Sequence, residues 1–126
     1  MSGTFRDLKA WQKAFELALE VYQVTRSFPR EEMYGLTSQV RRAAVSAVSN
    51  IAEGKGRASD KELLRFLGIA KGSLFELETQ IALSESLSYL SKNDAQALIG
   101  KVTETGKLVS GLMRAFEPTR ELTPRA

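Results

Sequence analysis

Seven bases lie between Leu36 and Lys71, namely Arg41, Arg42, Lys55, Arg57, Lys61, Arg65 and Lys71, against only three acids, Glu53, Asp60 and Glu62. Before this window bases and acids balance at five each, and after it acids lead by one. A local excess of cations attracts phosphate, and Gly54 and Gly56 would let exposed backbone amides join Lys55 and Arg57 in holding it. RNA or DNA is therefore the leading ligand class, with Arg41, Arg42, Lys55, Arg57, Lys61 and Arg65 as its candidate contacts. The competing reading is a set of solvated surface charges, because the whole chain carries a formal net charge of only +3. Neither Gly54-Lys55-Gly56-Arg57 nor Gly68-Ile69-Ala70-Lys71-Gly72-Ser73 has the spacing of a P-loop, and no strand precedes either. Nucleotide hydrolysis has no support.

Catalysis of other kinds meets the same obstacle. Cysteine and histidine are both absent, which removes nucleophilic dyads and triads, thiolate and imidazole metal sites, and disulfide scaffolds. Glu53 with Glu76 and Glu78 has the look of a carboxylate pair, but no base or metal-ligand set accompanies it. These glutamates, with Ser46, Ser49 and Asn50 beside them, fit interhelical hydrogen bonding better, with Arg42 as a counter-ion. We expect no enzyme activity, no cofactor and no metal. A structural or adaptor protein that binds another protein is the alternative to a nucleic-acid binder.

The elements that must position these residues are helices. Turn and capping residues gather at Phe28-Pro29, at Gly54 to Ser59 and at Ser91-Lys92-Asn93, dividing the chain into four periodic segments. The apolar spacing predicts helices at about residues 6–27, 35–54, 60–90 and 92–117, with a flexible tail at about 119–126. Pro29-Arg30-Glu31-Glu32 is compatible with a short separate turn before the second helix. Leu63, Leu67, Ala70, Leu74, Leu77 and Ile81, continuing through Ser84 and Ser88, form a bundle seam, and Ser59 with Glu62 reads as a capping box. Ala95, Leu98, Val102, Thr105, Val109, Leu112 and Phe116 repeat those steps after Ser91, a candidate N-cap. Short connections favour an all-α, antiparallel up-down-up-down four-helix bundle. With 43% hydrophobic and 26% charged residues, the composition is that of a folded domain rather than a disordered chain. No apolar run reaches membrane-spanning length and the N-terminus lacks a signal-peptide core, so a cytoplasmic protein without a membrane partner is expected.

The first segment is broader in its apolar surface than one core requires. Leu8, Trp11, Phe15, Ala18, Tyr22 and Thr25 make one stripe, which we assign to the core. Ala14, Leu17, Val21, Val24 and Phe28 make a second, displaced to one side. Left outside the bundle, Leu17, Val21, Val24 and Phe28 would form an interface between copies of the chain.

Taken in order, the motifs Phe5-Arg6-Asp7-Leu8-Lys9-Ala10-Trp11-Gln12-Lys13-Ala14, Phe28-Pro29 and Tyr34-Gly35-Leu36-Thr37-Ser38-Gln39-Val40-Arg41-Arg42-Ala43 form a recognisable series. It continues through Ser49-Asn50-Ile51-Ala52-Glu53-Gly54, Gly56-Arg57, Phe66 to Ser73 and Glu76-Leu77-Glu78. The whole resembles the proteins encoded within 23S rRNA intervening sequences, over nearly the entire chain except the tail. The resemblance implies a four-helix bundle and a homopentamer. It extends to the accessory variability determinants of diversity-generating retroelements, which bind nucleic acid and a reverse transcriptase through basic surfaces. Within these motifs Asn50, Glu53, Gly54, Gly56 and Glu76 are expected to be structural.

Overall fold

Four helices account for most of residues 3–118, the part of the chain that the computed structural model describes: α1 (Lys9–Val24), α2 (Leu36–Lys55), α3 (Asp60–Ser86) and α4 (Lys92–Phe116). No strand occurs among the described residues, and the tail expected at 119–126 lies outside them. Each helix packs on its neighbours in the cyclic order α1, α2, α3, α4, so α1 and α3 face each other across the diagonal. The fold is the expected all-α four-helix bundle.

Local chemistry explains where the helices start and stop. Ser59 Oγ accepts from the Glu62 amide at 3.1 Å and Ser91 Oγ from the Asp94 amide at 3.1 Å, capping α3 and α4 as their sequences predict. The return half of the Ser59 box is not made, because the Glu62 carboxylate turns to Arg65 at 3.3 Å instead. A reciprocal cap forms elsewhere: Thr4 Oγ1 accepts from the Arg6 amide at 3.1 Å while the Thr4 amide donates to Asp7 at 3.0 Å, opening a 3-10 turn over Phe5–Asp7. The first expected helix is thus split, with α1 flanked by 3-10 turns at Phe5–Asp7 and Thr25–Ser27. A third such turn, Arg30–Glu32, occupies the separate stretch before α2.

Helix α3 ends at Ser86, four residues before the expected limit. Ser88 takes φ of 64°, the left-handed conformation that terminates helices, and the Tyr89 amide donates back to the Ser84 carbonyl at 2.9 Å. Ser88 is therefore exposed and leaves the seam, while Ser84 is fully buried.

The core is one cluster to which all four helices contribute, including Leu17, Val21, Ile51, Leu67, Leu77, Ile81, Leu98 and Val109, each at most 1% exposed. Each such aliphatic side chain contributes roughly 1.5–3 kcal/mol on burial. Small residues set the spacing between helices. Ala43, Ala44 and Ala47 on α2 are buried opposite partners on both sides, as are Ala10, Ala14 and Ala18 on α1. Gly54 is the closest point: a Cβ there would meet the Phe66 Cβ at 2.9 Å.

Candidate functional site

The seven-base window does not form one surface. Arg42 and Lys55 are thirteen positions apart on α2, about 20 Å along its axis, so Arg41 and Arg42 lie on the bundle's flank while Lys55, Arg57, Lys61 and Arg65 lie at its α2-α3 end.

At that end the two arginines are already engaged. The Arg57 guanidinium pairs with Glu53 at 2.8 Å and lies over the Phe66 ring at 4.7 Å. Arg65 covers the same ring at 4.6 Å and pairs with Glu62. Both ion pairs are exposed and worth well under about 1 kcal/mol each, so they compete weakly with phosphate. Lys55 is half-buried and Lys61 is exposed. The backbone amides expected to help are not free. Gly54 is buried within α2, and the Gly56 and Arg57 amides donate to the carbonyls of Ala52, Glu53 and Gly54, because the helix runs through Lys55 rather than stopping before it.

On the flank, Arg41 is held in place. Its Nε donates to Thr25 Oγ1 at 2.8 Å and its guanidinium lies 4.7 Å from the Tyr22 ring centroid. A shallow groove of about 400 Å³ runs here between α1, the Arg30–Glu32 turn and α2, lined by Tyr22, Met33, Tyr34, Arg41, Arg42 and Val45 among others. No acidic side chain lines it. Arg42 is exposed and belongs to no ion pair among the described residues.

The assignment of α1 residues to interface and core is reversed in part: Ala18 and Thr25 of the first stripe are buried as expected, but the second stripe is not an outer face. Leu17, Val21 and Phe28, expected to face another copy, are 1%, 0% and 8% exposed within the chain's own core, and Val24 is half-buried against it. Phe15, Leu19 and Tyr22 point outward, with Trp11 half-buried at the edge. The reason is spacing: helices held close by Ala14, Ala18, Ala43, Ala44 and Ala47 leave room for aliphatic side chains between them but not for large rings. The rings instead pack on one another along the outer edge, Phe5 tilted against Trp11 at 5.3 Å and Trp11 stacked on Phe15 at 5.0 Å. A second exposed apolar face, on α3, was not singled out by sequence reasoning. Ile69, Phe75 and Leu83 project outward there, with Gly68 and Gly72 between them. The available signal was that all three fall within the broad arc of the α3 helical wheel that lies opposite its seam.

The polar motif residues are placed as follows. Ser46 Oγ and Ser73 Oγ are 2.8 Å apart and tie α2 to α3, while Asn50 Nδ2 donates to the Ser46 carbonyl at 2.8 Å and to its hydroxyl at 3.1 Å. Asn50 is thus a structural residue of that seam. Glu53 and Glu76 do not meet: Glu53 sits at the α2-α3 end with Arg57, and Glu76 is exposed midway along α3 without an ion-pair partner among the described residues. The suggested Arg42 counter-ion to these glutamates is not formed within the chain. Among the described residues no group of three or more acidic side chains gathers as a metal site.

At the opposite end of the bundle one carboxylate performs a task the sequence did not announce. Glu32 accepts from the Leu36 amide at 3.1 Å, capping α2 from outside it, and from Tyr89 Oη at 2.8 Å. The Leu36 amide, followed by the Tyr89 hydroxyl, holds the Glu32 carboxyl below its ordinary value, and the same hydrogen bond raises the Tyr89 phenol. Phe28 packs on Tyr89 at 5.5 Å, so both loops at this end close on each other.

No helix among the described residues is long and apolar enough to cross a membrane. No curated protein matches the chain. A crystal structure of a protein with unknown function from the S23 ribosomal protein family of Bacteroides thetaiotaomicron VPI-5482 is similar in fold, with a TM-score of 0.75, 20% sequence identity, and coverage of 83% of this chain and 98% of that one. The family model described as 23S rRNA-intervening sequence protein matches residues 6–111, which takes in all of α1, α2 and α3 and most of α4. The ordered motifs, the four-helix architecture and that match agree, and the chain belongs to the 23S rRNA-intervening sequence protein family.

Proposed function

We propose that this chain is a non-enzymatic cytoplasmic subunit that assembles with copies of itself, as the pentamer implied by its family resemblance, and acts as a binding scaffold. Exposed apolar surface carries this reading. Phe15, Leu19 and Tyr22 on α1 and Phe75 and Leu83 on α3 are between 43% and 63% exposed, in two groups, and the bundle's core is complete without them. Association removes such surface from water. Light scattering at micromolar concentration tests it: a mass several times that of one chain is expected, and a monomer ends the proposal.

The α2-α3 end favours RNA or DNA as the ligand of such a scaffold. Arg57 and Arg65 share the Phe66 ring, and Lys55 and Lys61 flank them, so each copy would present the same four cations. Several weak phosphate contacts add up when copies are linked. Salt-sensitive retention of labelled RNA by the wild type at about 50 mM salt, lost when Lys55, Arg57, Lys61 and Arg65 are replaced by Ala, is the expected result. No retention at that salt removes nucleic acid from the account. A partner that survives nuclease treatment in a pull-down would make the chain a protein adaptor instead. A gene beside a reverse transcriptase would connect it to the accessory variability determinants, and one within an rRNA gene would not.

A further inference from the structure

The groove on the α1-α2 flank holds charge and hydrogen-bonding capacity that the chain leaves unused. Arg41 and Arg42 both line it, and neither has an ion-pair partner among the described residues. The Glu32 carboxylate is held by the Leu36 amide and Tyr89 Oη and is not part of the groove. Two adjacent cations without a carboxylate between them are stabilised by an anion.

Arg41 is fixed in advance. Thr25, 2% exposed, donates its hydroxyl to the Val21 carbonyl at 2.7 Å and accepts from Arg41 Nε at 2.8 Å, and the guanidinium lies against the Tyr22 ring. Nε is the one nitrogen of this guanidinium with a hydrogen bond among the described residues, so the two terminal nitrogens remain to donate. A guanidinium already ordered in this way loses little further freedom on binding, and its planar fork of N–H groups matches a phosphate.

The floor and the rim add two further groups. Thr37 lines the groove at 5% exposure, and its hydroxyl has no hydrogen-bond partner among the described residues. A buried hydroxyl left unpaired costs stability, and a ligand atom that pairs with it removes that cost. Thr37 and Arg41 are four positions apart on α2, as are Ser38 and Arg42, so hydroxyls and guanidiniums occupy neighbouring turns of one face. Tyr34 stands on the rim one turn earlier, 97% exposed, and offers a free aromatic face beside the cations. The volume of about 400 Å³ lies near the lower limit of small-molecule sites, about 300–1,000 Å³, which fits one small ligand better than a length of strand.

A ligand that answers all of these groups carries a phosphate and a flat ring close together. We infer that the groove binds a free nucleoside monophosphate, its phosphate held by Arg41, Arg42 and the Thr37 hydroxyl and its base stacked on Tyr34. The inference goes beyond the self-association and the RNA contact proposed above and depends on neither, since Arg42 and Lys55 are about 20 Å apart along α2. Charge-assisted hydrogen bonds supply the hold on phosphate, and stacking on a tyrosine accepts any base.

Isothermal titration calorimetry of the full chain with AMP and with UMP tests the site, with adenosine and inorganic phosphate as partial ligands. Both nucleotides are expected to bind with Kd of about 1 mM or tighter, and at least about tenfold more tightly than either partial ligand. Arg42→Ala and Tyr34→Ala are each expected to weaken AMP binding about tenfold with circular dichroism unchanged, while Tyr34→Phe retains it. Thr37→Val is expected to weaken AMP binding several-fold while thermal unfolding occurs no lower, because the hydroxyl it removes has no partner to lose. The variant with Lys55, Arg57, Lys61 and Arg65 replaced by Ala is expected to bind AMP as the wild type does, which separates this site from the α2-α3 end. No binding of AMP at about 5 mM overturns the inference, as does inorganic phosphate bound as tightly as AMP. AMP binding that survives both Arg42→Ala and Tyr34→Ala overturns it too, and so does a single-stranded RNA octamer whose binding Arg42→Ala weakens while AMP does not bind. Each of these results leaves the proposed RNA contact at the α2-α3 end standing.

Discussion

The seam between α2 and α3 and the outer sides of α1 and α3 are built from similar residue types, yet only the first is explained by the chain alone. At the seam Gly54 is required because a Cβ would strike Phe66, and Ser46 finds Ser73. On the outer side of α3, Gly72 has open space around it and Glu76 has no ion-pair partner among the described residues. The same contrast runs through α1, where Leu17 is buried while Leu19, two positions on, is 55% exposed. Residues whose chemistry goes unanswered inside a fold are the ones to explain by what lies outside it.

Substitutions that treat the two regions alike should give unlike results. The largest difference is expected between Leu17→Ala and Leu19→Ala: in urea unfolding the first should cost about 2–5 kcal/mol through the cavity it leaves, and the second under about 1 kcal/mol. Equal losses would mean that α1 is rotated relative to the arrangement described. Gly54→Ala should cost about 1–3 kcal/mol by forcing Phe66 and Leu63 aside, whereas Gly72→Ala, in a background kept monomeric by Leu19→Glu, should gain up to about 1 kcal/mol of helix stability. A loss at Gly72 in that background would assign this glycine to the fold and not to an interface.

How much of this could be read beforehand varied with how local the cause was. The α3 seam and the caps at Ser59 and Ser91 were legible because periodicity and a hydroxyl three residues from an amide are sequence properties. The orientation of α1 was not, because two apolar stripes offered themselves. The choice between them depended on alanines in α2 that set how closely the helices approach. The seven bases read as one cluster because they are close in sequence, although the helix expected at about 35–54 already sets Arg42 and Lys55 about 20 Å apart along its axis, as α2 does. The role of Glu32 was out of reach, since its partner Tyr89 is 57 positions away.

The loop end sharpens the comparison from a third side, and with the smallest effect. Its polar groups answer one another, as the seam's do, so its pH response should appear in stability and not in assembly. Glu32 titrates below its ordinary 4.5, so the stability it adds is present above pH 4.5 and is lost as pH falls through the lowered value. Tyr89 titrates above its ordinary 10.0, so its share is present below pH 10.0 and is lost as pH rises through the raised value. Glu32→Gln should flatten the acid side of a thermal-stability profile while the oligomer mass stays unchanged.

The central claim, that the exposed apolar faces of α1 and α3 hold copies of the chain together, is tested most directly by light scattering on the wild type and on chains damaged at each face. Leu19→Glu alters the α1 side and Leu83→Glu the α3 side, both at exposed positions. The wild type should have a mass several times that of one chain, and the variant carrying both substitutions the mass of a single chain. A wild type with the mass of a single chain, or a double variant that assembles as the wild type does, would contradict the account.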